Sequence, residues 1–154
     1  SIHCSMDLAL VSLTVIANFF IAFIVIRNNY KSETNVSLAG LTAAIALWAV
    51  PNYLYATDLP YDQIVFWMRG VFFVTGFMLA FLLYFTLTFP EPKLSGGIVK
   101  KLAIFLPSII VGLMSYTDLI VSDANIVTTG THIPVFGGGM ISIFYMFWYT
   151  SQYL

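Results

Sequence analysis

Arg69 is the one basic residue of this 154-residue chain that lies inside a long apolar run rather than between runs. At membrane depth a guanidinium can hold an anion, pair with a carboxylate or reach back to the headgroups, which makes it a functional candidate. Asp62 precedes it by seven residues, two helical turns on the same face, and is the expected ion-pair partner. Trp67 lies beside it. In the preceding run Trp48, Asn52 and Tyr53 cluster around Pro51. A proline there leaves the carbonyl of Leu47 without its usual partner and bends the helix. The Asn52 amide must then face protein, because an unsatisfied polar group in lipid is expensive. Arg69, Trp67, Trp48, Asn52 and Tyr53 are therefore the candidate lining of an outward-facing cavity for a small ligand or lipid signal. The competing reading is structural: Tyr and Trp form the interfacial belt, and Arg69 snorkels to the outer headgroups. Pro107 is a second expected kink, freeing the carbonyl of Ala103, with the Ser108 hydroxyl as its substitute partner.

Other chemistries lack their parts. No His-Glu-x-x-His, Gly-rich phosphate loop or Ser/His/Asp set occurs, and no catalytic residue is assigned. His3 and His132 are far apart and Cys4 is the single cysteine, so neither a metal set, an internal disulfide nor a cofactor site is expected. No carboxylate lies within an apolar run to serve a proton or cation path. A formal net charge of -1 argues against nucleic-acid binding.

The elements that must hold these residues are helices in a bilayer. The chain is 60% hydrophobic and 8% charged, with a mean hydropathy of +0.92, against about 25% charged residues in soluble domains. Five runs, at about residues 8–26, 36–56, 64–89, 98–116 and 140–154, read as spans of an all-α polytopic bundle. The acidic turn Thr57-Asp-Leu-Pro-Tyr-Asp62 separates the second from the third. The Pro- and Gly-containing segment 90–97 separates the third from the fourth. Between the fourth and fifth, Ile126 to Phe136 is β-branched on both sides of Gly130-Thr131 and reads as a small extracellular β-hairpin. Small residues such as Ala39, Gly40, Ala43, Ala44, Gly70 and Gly76 permit close helix packing. The chain reads as a single membrane domain that begins at Ser1 and breaks off at Leu154 inside an apolar run, as a piece of a longer polypeptide.

Charge sets the expected orientation. Arg27, Lys31, Lys93, Lys100 and Lys101 fall in or beside alternate connections. Asp7, Asp58, Asp62, Asp118 and Asp123 fall on the other side. Five of the six basic residues on one face is the positive-inside pattern, which puts the N-terminus outside a plasma membrane and residues 27–35 and 90–101 in the cytoplasm. The sequon Asn35-Val-Ser37 is discounted on that orientation.

The order Asn35-Val-Ser-Leu, Leu47-Trp48, an acidic turn, Phe66-Trp67-Met68-Arg69 and Leu87-Thr-Phe-Pro-Glu91 resembles the seven-helix N-terminal membrane sensor region of bacterial histidine kinases and related diguanylate cyclases. The resemblance covers nearly all of the chain, through short, degenerate motifs. It implies two further helices and a cytoplasmic output domain beyond Leu154, a homodimer in the full-length protein, and Trp67 and Arg69 near an outer ligand pocket. The expected role is sensory, with no enzyme activity in this part. A transporter or channel subunit, or a non-catalytic membrane subunit of a complex, is the alternative.

Overall fold

The computed structural model describes residues 2–89, 98–126 and 132–138, and singly Ile141, Tyr145, Trp148 and Gln152. Four helices are followed by a two-stranded sheet: α1 Ile2–Asn28, α2 Glu33–Tyr55, α3 Tyr61–Thr88, α4 Ile98–Ser115, β1 Val121–Ile126 and β2 His132–Phe136. Three of the helices are long and apolar enough to cross a membrane: Asp7–Asn28 of α1, then α2 and α3. At 1.5 Å per residue α2 is ~34 Å long and α3 ~42 Å, against a hydrocarbon thickness of ~30 Å. The apolar part of α4, Lys101–Ser115, is shorter. The expected fifth span, about 140–154, lies mostly outside the described residues. Ile141, Tyr145 and Trp148 are helical and exposed.

Each helix packs mainly on its neighbour in sequence, α1 on α2, α2 on α3 and α3 on α4, while both strands pack on α3. The connection between α1 and α2 is tight because its polar side chains close both helix ends. Ser32 caps α2, its hydroxyl accepting from the Asn35 N–H at 3.4 Å. The Asn35 side-chain amide donates to the carbonyls of Val25 at 3.3 Å and Asn29 at 3.2 Å, where α1 runs out of intrahelical donors. α3 starts after Pro60, whose fixed φ suits a helix entrance, and Asp62 in its first turn faces the positive end of the helix dipole. It ends at Phe89 in extended backbone.

Burial in α1 is slight; α3 carries most of the core. One cluster joins Ile64 and Met68 of α3 to Val111 of α4 and to Ile120, Val121 and Ala124 around the first strand. A second, toward the other end, joins Ala80, Leu83 and Tyr84 to Ile104. Both expected proline sites are inside helices. Pro51 is buried, and Gly70 of α3 lies against it: a Cβ on Gly70 would make an ordinary contact, 3.5 Å from the Pro51 Cβ. Likewise a Cβ on Gly76 would meet the Ser108 carbonyl oxygen at 3.4 Å.

Ser108 corrects an expectation. Its hydroxyl is fully buried and has no hydrogen-bond partner among the described residues, so it does not stand in for the proton that Pro107 lacks. A buried hydroxyl without a partner is a net loss relative to a methyl group. Ser108→Ala is therefore expected to leave thermal stability unchanged or raise it, by up to about 1 kcal/mol, in a melting experiment on reconstituted protein.

A two-stranded sheet forms, its second strand within the expected segment and its first at Val121–Ile126, which shares only Ile126 with that segment; the expected turn at Gly130-Thr131 lies outside the described residues. The strands are antiparallel, pairing Val121 with Phe136 and Ile126 with His132, with an irregularity between Val121 and Asp123. There the Ser122 hydroxyl donates to the Val135 carbonyl at 3.0 Å. Phe136 reaches α3, its ring edge-on to Phe72 with centroids 5.8 Å apart.

Candidate functional site

Arg69 projects from the third turn of α3 toward the chain that leaves α4. Side chains on a helix lean toward its N-terminus, and that direction carries the guanidinium over residues 116–121. Nε donates to the Val121 carbonyl at 3.2 Å and Nη2 to the same oxygen at 2.9 Å. Nη1 donates to the Tyr116 carbonyl at 3.0 Å. Nη2 also forms an ion pair with the Asp118 carboxylate. The forked geometry of the guanidinium is what allows one side chain to serve three acceptors on a short loop.

The carboxylate partner is thus Asp118 and not Asp62. Asp62 is exposed in the first turn of α3, where the helix terminus already favours its charge. The Arg69 side chain is 19% exposed and that of Asp118 84%. An ion pair that open adds little stability. The Val121 carbonyl is different: its residue is fully buried, and without Arg69 it loses a charged donor that water does not readily replace. The arginine is foremost a clamp on backbone oxygens.

Aromatic rings enclose the clamp. Tyr116 packs against Phe66 at 5.5 Å and Phe73 at 5.6 Å between centroids, and Phe66 lies edge-on to Trp67 at 5.3 Å. Trp67 is half-buried. The other candidates stand elsewhere. Trp48 is exposed on α2. The Asn52 amide bonds within its own helix, donating to the Trp48 carbonyl at 2.8 Å, which satisfies one of its N–H groups locally. Tyr53 lines a cleft of about 250 Å³ with Asp7, Ala56, Thr57 and Asp58. The Tyr53 cleft includes none of Arg69, Trp67, Trp48 and Asn52.

The opposite end of the bundle holds contacts that sequence reasoning missed. The hydroxyls of Ser37 and Thr88 meet at 3.1 Å in a buried position. The Thr34 hydroxyl donates to the Thr88 carbonyl at 2.8 Å, satisfying a carbonyl at the end of α3. Two of the short motifs quoted above therefore touch each other, through Ser37 and Thr88. Hydroxyl residues near the ends of two apolar runs were the available signal. Nearby, the Lys101 ammonium pairs with the Glu33 carboxylate at 2.6 Å and stands 5.9 Å from the Tyr84 ring centre. Lys101→Glu should lower stability by less than about 1 kcal/mol, because the pair is partly exposed. Adding Glu33→Lys should restore it. Thermal melts of the two single variants and the double variant give the coupling.

Among the described residues no group of three His, Cys, Asp or Glu is placed to hold a metal ion. The chain matches no family model, and neither curated proteins nor solved structures yield a match.

Proposed function

We propose that this chain is the membrane-embedded input region of a bacterial signal-transduction protein, in the first place a sensor histidine kinase. In this reading five helices cross the cell membrane, the N-terminus and the hairpin lie outside, and the cationic connections face the cytoplasm. The observation that carries it is the clamp of Arg69 on Tyr116 and Val121, which ties the strand-bearing segment to α3. The far end of the same helix is bonded through Thr88 to α2. A small ligand or lipid that displaces the outer segment then has to move α3 or break the clamp. Either event biases the packing at the cytoplasmic end, provided the two packings bind the signal with different affinity. In the full-length protein such a bundle would act as a homodimer.

The reading frame beyond Leu154 is the first test. A histidine-bearing helical hairpin followed by an ATP-binding domain supports a kinase, and a Gly-Gly-Asp/Glu-Glu-Phe segment supports a cyclase. Further spans with no soluble domain would overturn the sensory reading in favour of a transporter or a membrane subunit. The second test is output activity of the full-length protein carrying Arg69→Ala. An altered set-point is expected, and an unchanged response in a normally folded variant removes Arg69 from the mechanism.

A further inference from the structure

Two apolar grooves run along α2, away from the Arg69 clamp. The first, about 500 Å³, lies between α1 and α2 and is lined by Phe19, Phe23 and Ile26 facing Val36 and Ala39. The second, about 320 Å³, lies between α2 and α3 and is lined by Ala44, Leu47, Phe73 and Val74. They share Gly40, Ala43 and Phe81. A Cβ on Gly40 would collide with the Phe81 ring, so the glycine is what lets that ring lie flat across α2 where the grooves meet. Every lining side chain is apolar. The Phe81 ring sits at the junction, so the first groove is taken by itself: from Val36 to Ala43 it covers seven residues of helix, ~10 Å at 1.5 Å per residue, against about 15 Å for one leaflet of the hydrocarbon core.

The mouth of this path is cationic. On α1 the lining row Phe19, Phe23 continues four residues later at Arg27, the basic residue of the last turn. Helical side chains lean toward the N-terminus, which brings Arg27 back over the groove. Lys31 follows in the connection, beside Tyr30. Both are exposed, and neither has an acidic partner among the described residues. The nearest carboxylate in sequence, Glu33, is held by Lys101. An apolar groove ~10 Å long with an unneutralised Arg/Lys pair toward one end has the charge pattern of a lipid, tail inward and phosphate outward.

We infer that the first groove is a binding site for one anionic phospholipid, part of its acyl chain lying along Phe23, Val36 and Ala39 up to the Phe81 ring and its phosphate held by Arg27 and Lys31. Arginine gives the phosphate a two-pronged hydrogen-bonded contact, and lysine adds a point charge. The site rests on the helices being embedded in a bilayer and is independent of the sensory role.

The experiment uses the full-length protein in nanodiscs of equal phosphatidylglycerol and phosphatidylcholine, released into detergent, with retained lipids counted by native mass spectrometry. A basic residue near the surface favours an anionic lipid by about fivefold. Wild type is expected to keep one phosphatidylglycerol in preference to phosphatidylcholine by at least that factor. Arg27→Gln with Lys31→Gln should retain the two lipids equally. Ala43→Phe, which fills the groove, should lose the retained lipid while the headgroup residues stay intact. Should that variant fail to fold, Val36→Phe narrows the groove on the Arg27 side and must weaken retention of phosphatidylglycerol. Equal retention by wild type overturns the inference, as does retention undiminished in the filled variants. A disulfide between two copies carrying Ala43→Cys, with no lipid retained, would likewise overturn it and assign the groove to a second protomer. Loss of the protein from membranes on alkaline washing would instead refute the embedding itself.

Discussion

Replacing Arg69 by alanine should release residues 116–121 from α3 and lower stability by about 2–4 kcal/mol. Four hydrogen bonds disappear together, and the buried Val121 carbonyl loses both of its guanidinium donors. Thermal unfolding of reconstituted protein gives the magnitude. Amide exchange gives the place, with faster exchange expected from Tyr116 through Ile126 and little change at the Ser37–Thr88 end. Arg69→Lys should recover only part of the loss, because one ammonium cannot reach the two carbonyls and the carboxylate in the same fork. Asp118→Asn is the informative contrast. The carboxylate is exposed, so its neutralisation should lower stability by less than about 1 kcal/mol. A large effect of Asp118→Asn with a small effect of Arg69→Ala would mean that the ion pair, and not the backbone clamp, holds the segment.

Gly137→Ala should be nearly as damaging despite adding one methyl group. The Gly137 N–H donates to the Ile120 carbonyl at 2.9 Å, which brings the end of β2 down onto the turn before β1. A Cβ there would overlap the backbone carbonyl groups of Asp118 and Leu119. Backbone cannot swing aside as a side chain can, so either the hydrogen bond or the turn must give way. Overpacking of this kind typically lowers stability by about 1–3 kcal/mol. Amide exchange should report it in the same segment that Arg69 holds. Since both substitutions release one structural unit, their effects should not add: the double variant should be close to the more damaging single variant. Full additivity would mean that the clamp and the strand end are independent.

How far the sequence led depends on whether a feature is local. The four described helices follow from apolar runs, and the second strand from the β-branched residues before Phe136, whereas the first strand, VSDANI, lies largely ahead of that pattern. The starts of α2 and α3 fall three residues before the apolar runs do. Glu33, Thr34 and Asn35, and Tyr61, Asp62 and Gln63, are polar yet helical, because caps and acidic first-turn residues stabilise a helix beginning. Hydropathy marks the apolar stretch and is silent about the turn that enters it. Contacts between distant residues were the hard part. Asp62 was the reasonable partner for Arg69 by helical spacing, but the arginine is satisfied by a loop about fifty residues away, and no periodicity encodes how that loop folds back. The same holds for Ser37 and Thr88. Asn52 illustrates a third case: the demand that its amide be satisfied was sound, and its own helix met it in part through the Trp48 carbonyl.

The central claim is that the strand-bearing segment and the cationic connections lie on opposite sides of a membrane. In a Cys4→Ser background, single thiols introduced as Asp123→Cys and Lys31→Cys can be reacted with an impermeant maleimide, first on intact cells and then after lysis. The account predicts labelling of the Asp123→Cys protein in intact cells and of the Lys31→Cys protein only once the membrane is opened. Labelling of the Lys31→Cys protein from outside, with the other protected, would contradict it.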